Sequence, residues 1–353
     1  MKSKPIKVLY IIDTLEIGGA EGVCLDIYLN VDQKKINPQL LVIKSKTLTQ
    51  YVGLKNENIN YLNRISKSNI LTYFKLFVYL LTNDIIHVHL RHSYRYVKFT
   101  QLLFYPFLFR KKLILHDHSF KNTDILFKAP INYLLKPTYC ILVTDSLLDN
   151  VKNKLNLKEG QISVFNNLIP EIKESNHLTN SSESLKINQL VIVGNIKYIK
   201  NQKFALQVAN NLNRNLDIIG KIQDEIVYKE LLNQNKGKLN IIENITDVKT
   251  VLMTYRVGLF TSFNESGPIV LLEYLNCNLP FVSTKIGSIG HILSNYFPEF
   301  FIDEYDLFQW QQRIVELENG YQIDNEKVSY IMNKHFNRSV YFDRLVQVYK
   351  ELK

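Results

Sequence analysis

The sequence contains little cysteine and no long apolar run, and both absences restrict what the protein can be. Its three cysteines, Cys24, Cys140 and Cys277, lie far apart without the spacing of a metal site. So sparse a set favours a reducing compartment, and we expect a cytoplasmic protein. No apolar stretch approaches the roughly 18 to 20 residues that cross a bilayer. We therefore expect a protein that is soluble or that lies at a membrane surface.

The motifs of several common ligand sites are also missing. A net charge of +10 suggests an anionic partner, such as nucleic acid, anionic lipid or a phosphorylated substrate. Nucleic acid is the weakest of these, because no zinc finger, RNA-recognition motif or helix-turn-helix pattern accompanies the charge. The glycine loop after the first predicted strand lacks the G-x-G-x-x-G spacing, and the second strand ends at Lys44 without the acid that would hold an NAD ribose. A dehydrogenase is therefore disfavoured.

What is present is an alternation of short β-rich runs with longer helical patterns over the whole chain. A length of 353 residues predicts two domains, and an apolar content of 46% excludes a disordered chain. The alternation is typical of βαβ units around parallel sheets, so we expect an α/β protein of two Rossmann-like domains facing a cleft. The polar stretch 173–186 predicts the linker between them.

The predicted strands form two sets, one in each domain. The first strand follows a basic start that imitates a signal peptide, but Asp13 and Glu16 interrupt its apolar run and no cleavage site follows. The first set is Ile6–Ile12, Gln39–Ile43, Ile85–Leu90, Lys112–His116, Cys140–Thr144 and Ile162–Phe165. The second set is Gln189–Gly194, Asn215–Ile219, Leu239–Ile242, Arg256–Phe260, Pro280–Ser283 and Glu299–Ile302.

The stretch 263–273 joins two carboxylates to the start of an apolar helix. Pro268 suits the first helical turn, and the helix is predicted to run to about Cys277. Glu265 then lies on the loop before the helix and Glu273 about two turns along its body. One interpretation is a buried helix with an incidental acid at each end.

The start of this helix also suits a ligand. Ser266 or Gly267 is predicted to cap it, and its free N–H groups, including those of Ile269 and Val270, lie at the positive end of the helix dipole. Such an end binds phosphate, while carboxylates on either side can accept hydrogen bonds from sugar hydroxyls. The stretch therefore fits a phosphorylated sugar.

The run 263–284 resembles the Glu-x7-Glu motif of retaining glycosyltransferases of the family 4 type, which are group 1 enzymes with the GT-B fold. Leu279–Thr284 continues the motif as those proteins do. In that family the first Glu contacts the donor sugar and the second the ribose, so the resemblance assigns these roles to Glu265 and Glu273. It implies domains at 1–172 and 187–335, and a C-terminal helix at 336–353 that crosses back to the first domain.

Two further segments resemble the parts of this family that bind the donor diphosphate. Gly18 and Gly19 resemble glycines that line the cleft between acceptor and donor phosphate. Lys200 begins a Lys-Asn-Gln run in which the family's Lys binds the diphosphate, but Asn195 stands where Arg is usual. Either Lys197 supplies the missing charge or donor binding is weakened.

Histidines mark the third and fourth predicted strands. His87 and His89 lie on the third, whereas His116 and His118 lie at the end of the fourth. We disfavour a metal site, because the i,i+2 spacing lies on strands and no cysteine or Glu-x-x-His pattern joins them. Related glycosyltransferases place a histidine beyond the fourth strand, against the donor sugar, and both His116 and His118 fit that position.

The resemblance implies a hexosyl- or other glycosyltransferase of the capsular or O-antigen polysaccharide type. The donor would be a nucleotide-diphosphate sugar and the acceptor a glycan or polyprenyl-linked glycan. No D-x-D signature is present, which agrees with a family that needs no metal. Two alternatives stay open: a sugar-nucleotide epimerase of the same fold, and a catalytically weak subunit that binds another glycosyltransferase.

One part of the first domain interleaves basic and aromatic residues. Tyr94–Phe99 and Phe104–Lys112 combine both types, and Tyr73–Phe77 lies nearby in sequence. This pattern suits the surface of an anionic membrane, where a lipid-linked acceptor would be found. The alternative is an ordinary packed helix with a solvated charged end.

Overall fold

The computed structural model describes residues 4–16, 18–44, 59–66, 69–118, 136–170, 188–245 and 247–353. It divides into two compact units. The first comprises the described residues of Met1–Ser175 together with Phe336–Lys353, and the second those of Asn176–His335. The predicted linker at 173–186 lies outside the described residues.

The first unit is built on a parallel sheet of seven strands. The strands are β1 Ile6–Ile12, β2 Ile36–Val42, β3 Ile59–Tyr61, β4 Ile85–His89, β5 Lys112–Asp117, β6 Tyr139–Leu142 and β7 Ile162–Val164. Their order across the sheet is β3-β2-β1-β4-β5-β6-β7. β1 is buried at every position except Lys7. Such a continuous apolar strand is expected where helices cover both faces of a parallel sheet.

The second unit contains a parallel sheet of five strands. The strands are β8 Asn188–Val193, β9 Leu216–Ile219, β10 Leu239–Ile242, β11 Tyr255–Phe260 and β12 Phe281–Ser283. Their order is β10-β9-β8-β11-β12. In both sheets the strand order reverses once, between β1 and β4 and between β8 and β11. Ligands of open α/β sheets bind at the carboxyl ends of the strands beside such a reversal.

Helices follow most strands, as the alternating pattern predicts. In the first unit they are α1 Gly19–Asn30, α2 Ile70–Thr82, α3 Arg91–Leu103, α4 Tyr105–Leu108 and α5 Leu148–Lys154. In the second they are α6 Gln202–Leu212, α7 Glu225–Gln234, α8 Val248–Leu252, α9 Ile269–Asn276, α10 Gly287–Ser294, α11 Leu307–Glu318 and α12 Asn325–His335. Short polar side chains cap several of them; the Asp224 carboxylate, for example, accepts hydrogen bonds from the backbone N–H groups of Ile226 and Val227. Within the described residues, no helix combines the length and the apolar character needed to cross a membrane.

The last helix, α13 Arg338–Leu352, belongs to the first unit. The Arg338 guanidinium donates hydrogen bonds to both carboxylate oxygens of buried Asp26 and to the carbonyl oxygen of Ile169. Buried Tyr349 contacts the hydroxyl of Tyr10 in β1. A charge-assisted pair and a buried aromatic side chain thus attach the end of the chain to the first sheet.

Two strand predictions are wrong. The first set omits β3, a strand of only three residues at the sheet edge. Glu299–Ile302 does not join the second sheet as a strand. Instead Pro298–Phe300 forms a 3-10 turn, and Phe301 makes an isolated bridge to Ser283. Proline fixes its own φ and lacks an N–H, so the segment it begins does not extend a ladder.

Candidate functional site

The loop between β11 and α9 carries the motif that the sequence singles out. α9 begins at Ile269, and its N-cap is Pro268, which makes no side-chain cap hydrogen bond. The prediction that Ser266 or Gly267 caps the helix is therefore wrong. The Ser266 carbonyl instead accepts hydrogen bonds from the backbone N–H and the hydroxyl of Ser288. The loop is thus tied to the following helix, α10.

Glu265 on this loop pairs with Lys200. The Lys200 Nζ lies 2.5 Å from the Glu265 Oε1, and both side chains are about one-fifth exposed. The 3-10 turn that ends at Lys200 is held against the end of β11, because the Thr261 hydroxyl donates to the Lys200 carbonyl at 3.0 Å. The structure therefore places one cation and one carboxylate together at the carboxyl end of the second sheet.

Gly194, at the end of β8, allows the close approach of Lys200. Its φ is +152°, and a Cβ added there would lie 3.3 Å from the Lys200 Cε. The next residue, Asn195, has its side-chain oxygen occupied, because the backbone N–H of Lys221 donates to its Oδ1 at 2.9 Å. Lys197 is exposed on the same loop. The Asn195 side chain therefore makes a structural hydrogen bond, and the positive charge of this loop comes from Lys197 and Lys200.

Glu273 lies on α9 itself, in the second turn of the helix that follows the loop. Its side chain is partly buried, and desolvation raises the pKa of Glu273 from 4.5 to about 7. Ile269 and Val270, in the first turn of the same helix, are buried. A carboxyl group that changes charge near neutral pH is a frequent feature of binding and catalytic sites.

Gly287 supports the loop and was not among the residues singled out for the site. Its φ is +73°, and an added Cβ would lie 2.7 Å from the Pro268 Cδ and 3.0 Å from the carbonyl oxygens of Glu265 and Ser266. Only glycine accepts both that backbone conformation and that proximity. The signal in the sequence is the Gly-Ser-Ile-Gly run after β12, whose contact with the loop depends on the tertiary fold.

In the first unit, the glycine loop leads into α1. Gly18 is the N-cap and Gly19 the first helical residue. A Cβ added at Gly18 would lie 2.2 Å from a carboxylate oxygen of Glu21, so the Glu21 side chain folds back over the helix start. Glu21 is an acid in the first turn of α1, where the positive end of the helix dipole favours a carboxylate. A phosphate could reach the Gly18–Gly19 backbone only if that carboxylate moved aside.

The four histidines form one cluster at the carboxyl ends of β4 and β5. A His87 ring nitrogen lies 3.2 Å from one of His116, and a His89 nitrogen lies 3.0 Å from one of His118. The other His87 nitrogen lies 2.6 Å from the Tyr349 hydroxyl. The parallel register sets His89 beside His116, which explains why side chains at i and i+2 on two strands meet.

Burial separates the two histidines that the sequence leaves open. His116 is fully buried, whereas His118 is partly exposed at the end of β5. Burial lowers the pKa of His118 and of His87 to about 3, and the pKa values of His89 and His116 also fall well below the usual range. All four rings are therefore neutral at pH 7, and His118 is the one of the four with part of its surface exposed.

Three of these rings could offer nitrogens to a metal. One nitrogen each from His87, His89 and His116 can be chosen so that all lie within 4.8 Å of one another. Tetrahedral Zn²⁺ with bonds near 2.1 Å needs ligand nitrogens about 3.4 Å apart. The rings also bond to one another and to Tyr349. The cluster fits a neutral hydrogen-bonded stack better than a preformed metal site, and the absence of a metal stays a prediction.

A charged cluster nearby was missed in the sequence. Buried Asp13 follows β1, and its carboxylate lies 2.7 Å from the Lys44 Nζ, 3.4 Å from Arg64 and 3.4 Å from the His92 Nε2. Burial alone would raise the pKa of Asp13, but hydrogen bonds from His92 and Lys44 lower it to about 2. Lys44, Arg64 and His92 follow β2, β3 and β4. The only feature of the sequence that could have indicated the cluster is that each of these residues comes just after a strand.

The structure thus gathers the predicted residues into two groups, one in each unit. Lys200, Glu265 and the loop glycines lie together in the second unit, with Asn195 and Lys197 on the adjoining loop. In the first unit His116 and His118 share one cluster, whereas Gly18 and Gly19 lie at the start of α1. Each group lies at the carboxyl end of its own sheet, beside the reversal of strand order.

Comparison with known proteins identifies what the chain is similar to. The sequence profile of the family described as "Glycosyl transferases group 1" matches residues 175–352, slightly more than half of the chain. Among curated protein sequences none matches.

Several solved structures have a similar fold over nearly the whole chain. Anabaena HepE in complex with UDP-glucose has a TM-score of 0.71 at 13% identity, and the match covers 98% of each chain. A mutant of S. aureus TarM in complex with fondaparinux, α-GlcNAc-glycerol and UDP has a TM-score of 0.67 at 12% identity, covering 98% of this chain and 99% of that one. The lipopolysaccharide outer core galactosyltransferase WaaB has a TM-score of 0.62 at 15% identity, with coverage of 98% and 99%. At such low identity these neighbours establish the GT-B fold, which confirms the expected fold class.

Proposed function

Because the chain belongs to the group 1 glycosyl transferases, we propose that it moves a sugar from a nucleotide-diphosphate sugar to a glycan or polyprenyl-linked acceptor, with retention of configuration. The observation that carries this proposal is the Lys200–Glu265 pair beside the start of α9. Lys200, the cation proposed for the diphosphate, directly contacts Glu265, the carboxylate proposed for the sugar. The product would be a cell-surface polysaccharide of the capsular or O-antigen type, made in the cytoplasm.

The second unit would bind the donor. Lys200 would neutralise the leaving diphosphate, with Lys197 adding charge, and the backbone N–H groups of Ile269 and Val270 would face its oxygens at the positive end of α9. Glu265 would accept hydrogen bonds from sugar hydroxyls. Glu273, further along the helix, would accept them from the ribose.

The first unit would contribute the acceptor side. His118 is the partly exposed member of the histidine cluster, and its neutral ring would lie against the donor sugar, as the resemblance implies. Once the Glu21 carboxylate moves aside, Gly18 and Gly19 would let an acceptor or a phosphate approach the backbone. Buried His116, whose ring stacks on that of His118, would hold the His118 ring in place.

Catalysis would rest on positioning and on charge. No separate nucleophile is assigned; the leaving phosphate would help to remove the proton from the acceptor hydroxyl on the same face of the sugar. Fixed positive groups stabilise the departing diphosphate without a metal ion, so we propose metal-independent transfer. Two structures of one neighbour support the choice of donor: HepE is bound to UDP-glucose in one and to UDP and glucose in the other.

The experiment is a binding and turnover comparison of two neighbouring lysines. Titration of UDP, GDP and ADP, and of their sugars, should raise the melting temperature of the parent protein with at least one of them. Lys200→Ala should weaken that binding by about ten- to a hundredfold, because it removes a charge-assisted bond to a phosphate. Lys203→Ala is the matched control, since Lys203 forms an exposed ion pair with Glu230.

The outcomes separate the alternatives. Transfer or slow donor hydrolysis that persists in EDTA supports the proposal, and loss of both in EDTA would contradict metal independence. Conversion of the donor sugar to its epimer without an acceptor would indicate the epimerase. Absence of nucleotide binding with stable folding would indicate the catalytically weak subunit, which the neutral Asn195 at a usual Arg position favours.

A further inference from the structure

The outward side of α2 is apolar, which is unusual for a surface helix. Leu71, Phe74, Val78 and Leu81 are 72%, 56%, 47% and 44% exposed and follow one another at helical spacing along one side. Lys75 is the only charged residue in the helix. The opposite side of α2 packs into the core. A surface helix normally presents polar residues outward, so α2 has a second apolar side to cover.

The same surface continues over α3 and α4. Exposed side chains there are Phe99, Leu103, Tyr105, Phe107 and Phe109. Ring contacts join the helices: the centroids of Phe77 and Phe107 are 5.8 Å apart, and those of Tyr73 and Phe99 are 5.6 Å apart. We call these nine exposed residues the apolar face: Leu71, Phe74, Val78, Leu81, Phe99, Leu103, Tyr105, Phe107 and Phe109. A contiguous apolar surface of this kind marks an interaction site rather than the scattered exposure that every protein has.

Positive charge accompanies the apolar face. Between Ile70 and Lys112 the sequence contains seven Lys and Arg residues and one acid, Asp84. Asp84 is itself engaged, because the Lys353 Nζ lies 3.7 Å from its carboxylate and the backbone N–H of Lys7 donates to it. Seven cations and one acid give the segment a net charge of +6, of the +10 that the whole chain carries; one of the seven, Arg91, pairs with buried Asp117 beyond the segment.

Three of these cations are exposed around the face. They are Lys75 on α2, Arg95 on α3 and Arg110 after α4. The Arg110 guanidinium lies over the Phe109 ring, 5.2 Å from its centroid, so a cation and an exposed aromatic side chain share one position. Lys and Arg beside Phe and Leu side chains are common in protein segments that lie at a bilayer interface.

We propose that the apolar face docks on a bilayer surface that contains anionic lipids. Its aromatic and aliphatic side chains would enter the headgroup region, and Lys75, Arg95 and Arg110 would face lipid phosphates. The excess of cations complements an anionic lipid surface, which presents many negative charges over an area as wide as three helices. The proposal does not depend on the chemistry of transfer, because it uses none of the residues assigned to donor or acceptor.

The structure changes which residues of this segment matter. Tyr94, Tyr96 and Val97, which the sequence pattern included, are buried. The Lys111 ammonium donates hydrogen bonds to the carbonyls of Leu81 and Asn83, so it closes the end of α2 instead of facing outward. A test by substitution must therefore leave these residues unchanged and alter the exposed side of α2.

The test is sedimentation with vesicles of phosphatidylcholine, with and without phosphatidylglycerol, at low and high salt and without any sugar nucleotide. The parent should sediment with the anionic vesicles at low salt and dissociate at high salt. The double substitution Phe74→Ser/Val78→Ser and the charge reversal Lys75→Glu/Arg110→Glu should each weaken binding by about tenfold or more. Ile226→Ser/Phe308→Ser, on exposed apolar residues of α7 and α11, should leave it unchanged.

Three results would overturn the proposal. The parent could stay in the supernatant at low salt, or the Phe74→Ser/Val78→Ser variant could bind as the parent does. The parent could also form a concentration-dependent dimer that Phe74→Ser/Val78→Ser abolishes, with no vesicle binding, which would assign the face to a second copy of the chain. Nucleotide binding measured on the same samples is a separate readout, so failure of docking and failure of the proposed transfer are distinguishable.

Discussion

Lys200 and Glu265 hold each other in place in the second unit, with 2.5 Å between the ammonium nitrogen and the nearer carboxylate oxygen. In the proposed function each has its own ligand: Lys200 the diphosphate and Glu265 the sugar. Binding of a donor must then replace their mutual contact. Because the pair is only about one-fifth exposed, its loss or exchange should have measurable consequences.

The first prediction divides the roles of the two carboxylates. Glu265→Gln should lower turnover by about a hundredfold while nucleoside diphosphate binding stays within a factor of about three, because it removes a sugar contact and leaves Lys200 free for phosphate. Glu273→Gln should weaken the binding of the nucleoside diphosphate itself by about tenfold. Calorimetric titration with the preferred diphosphate, beside donor turnover, checks both. Equal losses of nucleotide affinity in the two variants would refute the division.

The second prediction concerns the stability cost of Glu273. Its pKa in the folded protein is raised from 4.5 to about 7, so the folded state disfavours its ionised form. The cost is absent below pH 4.5, grows between pH 4.5 and 7, and is constant above pH 7. Glu273→Gln should therefore stabilise the protein by about 1 to 3 kcal/mol at pH 8 and leave stability nearly unchanged at pH 4.5. Urea unfolding at the two pH values measures this difference, and an equal gain at both would contradict the assigned ionisation.

The third prediction tests whether Lys197 replaces the charge that Asn195 lacks. Lys197→Ala should raise the donor KM several-fold. Lys200→Ala should raise it more, because Lys200 is the cation proposed to neutralise the diphosphate and Lys197 only adds charge. Asn195→Arg should destabilise the protein by about 1 kcal/mol even if it restores donor affinity, because it removes the acceptor for the Lys221 N–H. Steady-state kinetics and a thermal melt of each variant decide the matter. If Lys197→Ala behaves as the parent does, the compensation idea fails.

The fourth prediction follows from the neutral histidine cluster. A histidine that is neutral when folded and protonated when unfolded stabilises the fold above pH 6.5, and this stability is lost as pH falls below it. Between pH 7.5 and 5.5 each such histidine costs about 1.4 kcal/mol. His118→Gln should reduce the acid sensitivity by about that amount, measured by urea unfolding at the two pH values. His335→Gln is the control, because His335 is a less perturbed histidine outside the cluster.

The fifth prediction concerns the support that Gly287 gives to the loop before α9. Gly287→Ala should destabilise the protein and weaken nucleotide binding about tenfold or more, because its Cβ would press on Pro268 and shift Glu265. Gly237→Ala is a matched control: its φ of +77° is close to the +73° of Gly287, but nothing lies within 4 Å of an added Cβ. Both variants bear similar backbone strain, so only the contact differs. Equal nucleotide affinities in the two would exclude a role of Gly287 in shaping the site.

The sequence determined the fold class and most of the strands. Buried strands such as β1 and capped helices are set by residues close together in the chain, so alternation of apolar runs and cap residues was sufficient to predict them. The motif from Glu265 to Glu273 was also visible, because a loop, a proline and a helix body lie in one continuous stretch. Short edge strands such as β3 contain too few residues for a periodic pattern.

The tertiary structure alone decided which residues meet and which sides are covered. Contacts such as that of Lys200 with Glu265, or of Gly287 with Pro268, join segments far apart in sequence, and spacing along the chain does not record them. Exposure separated His118 from His116 although both fit the same pattern. The sequence of α2 suits either a packed helix or a membrane surface. Only the packing of its neighbours shows that Phe74 and Val78 are left uncovered, because burial depends on what lies opposite a residue and not on the residue itself.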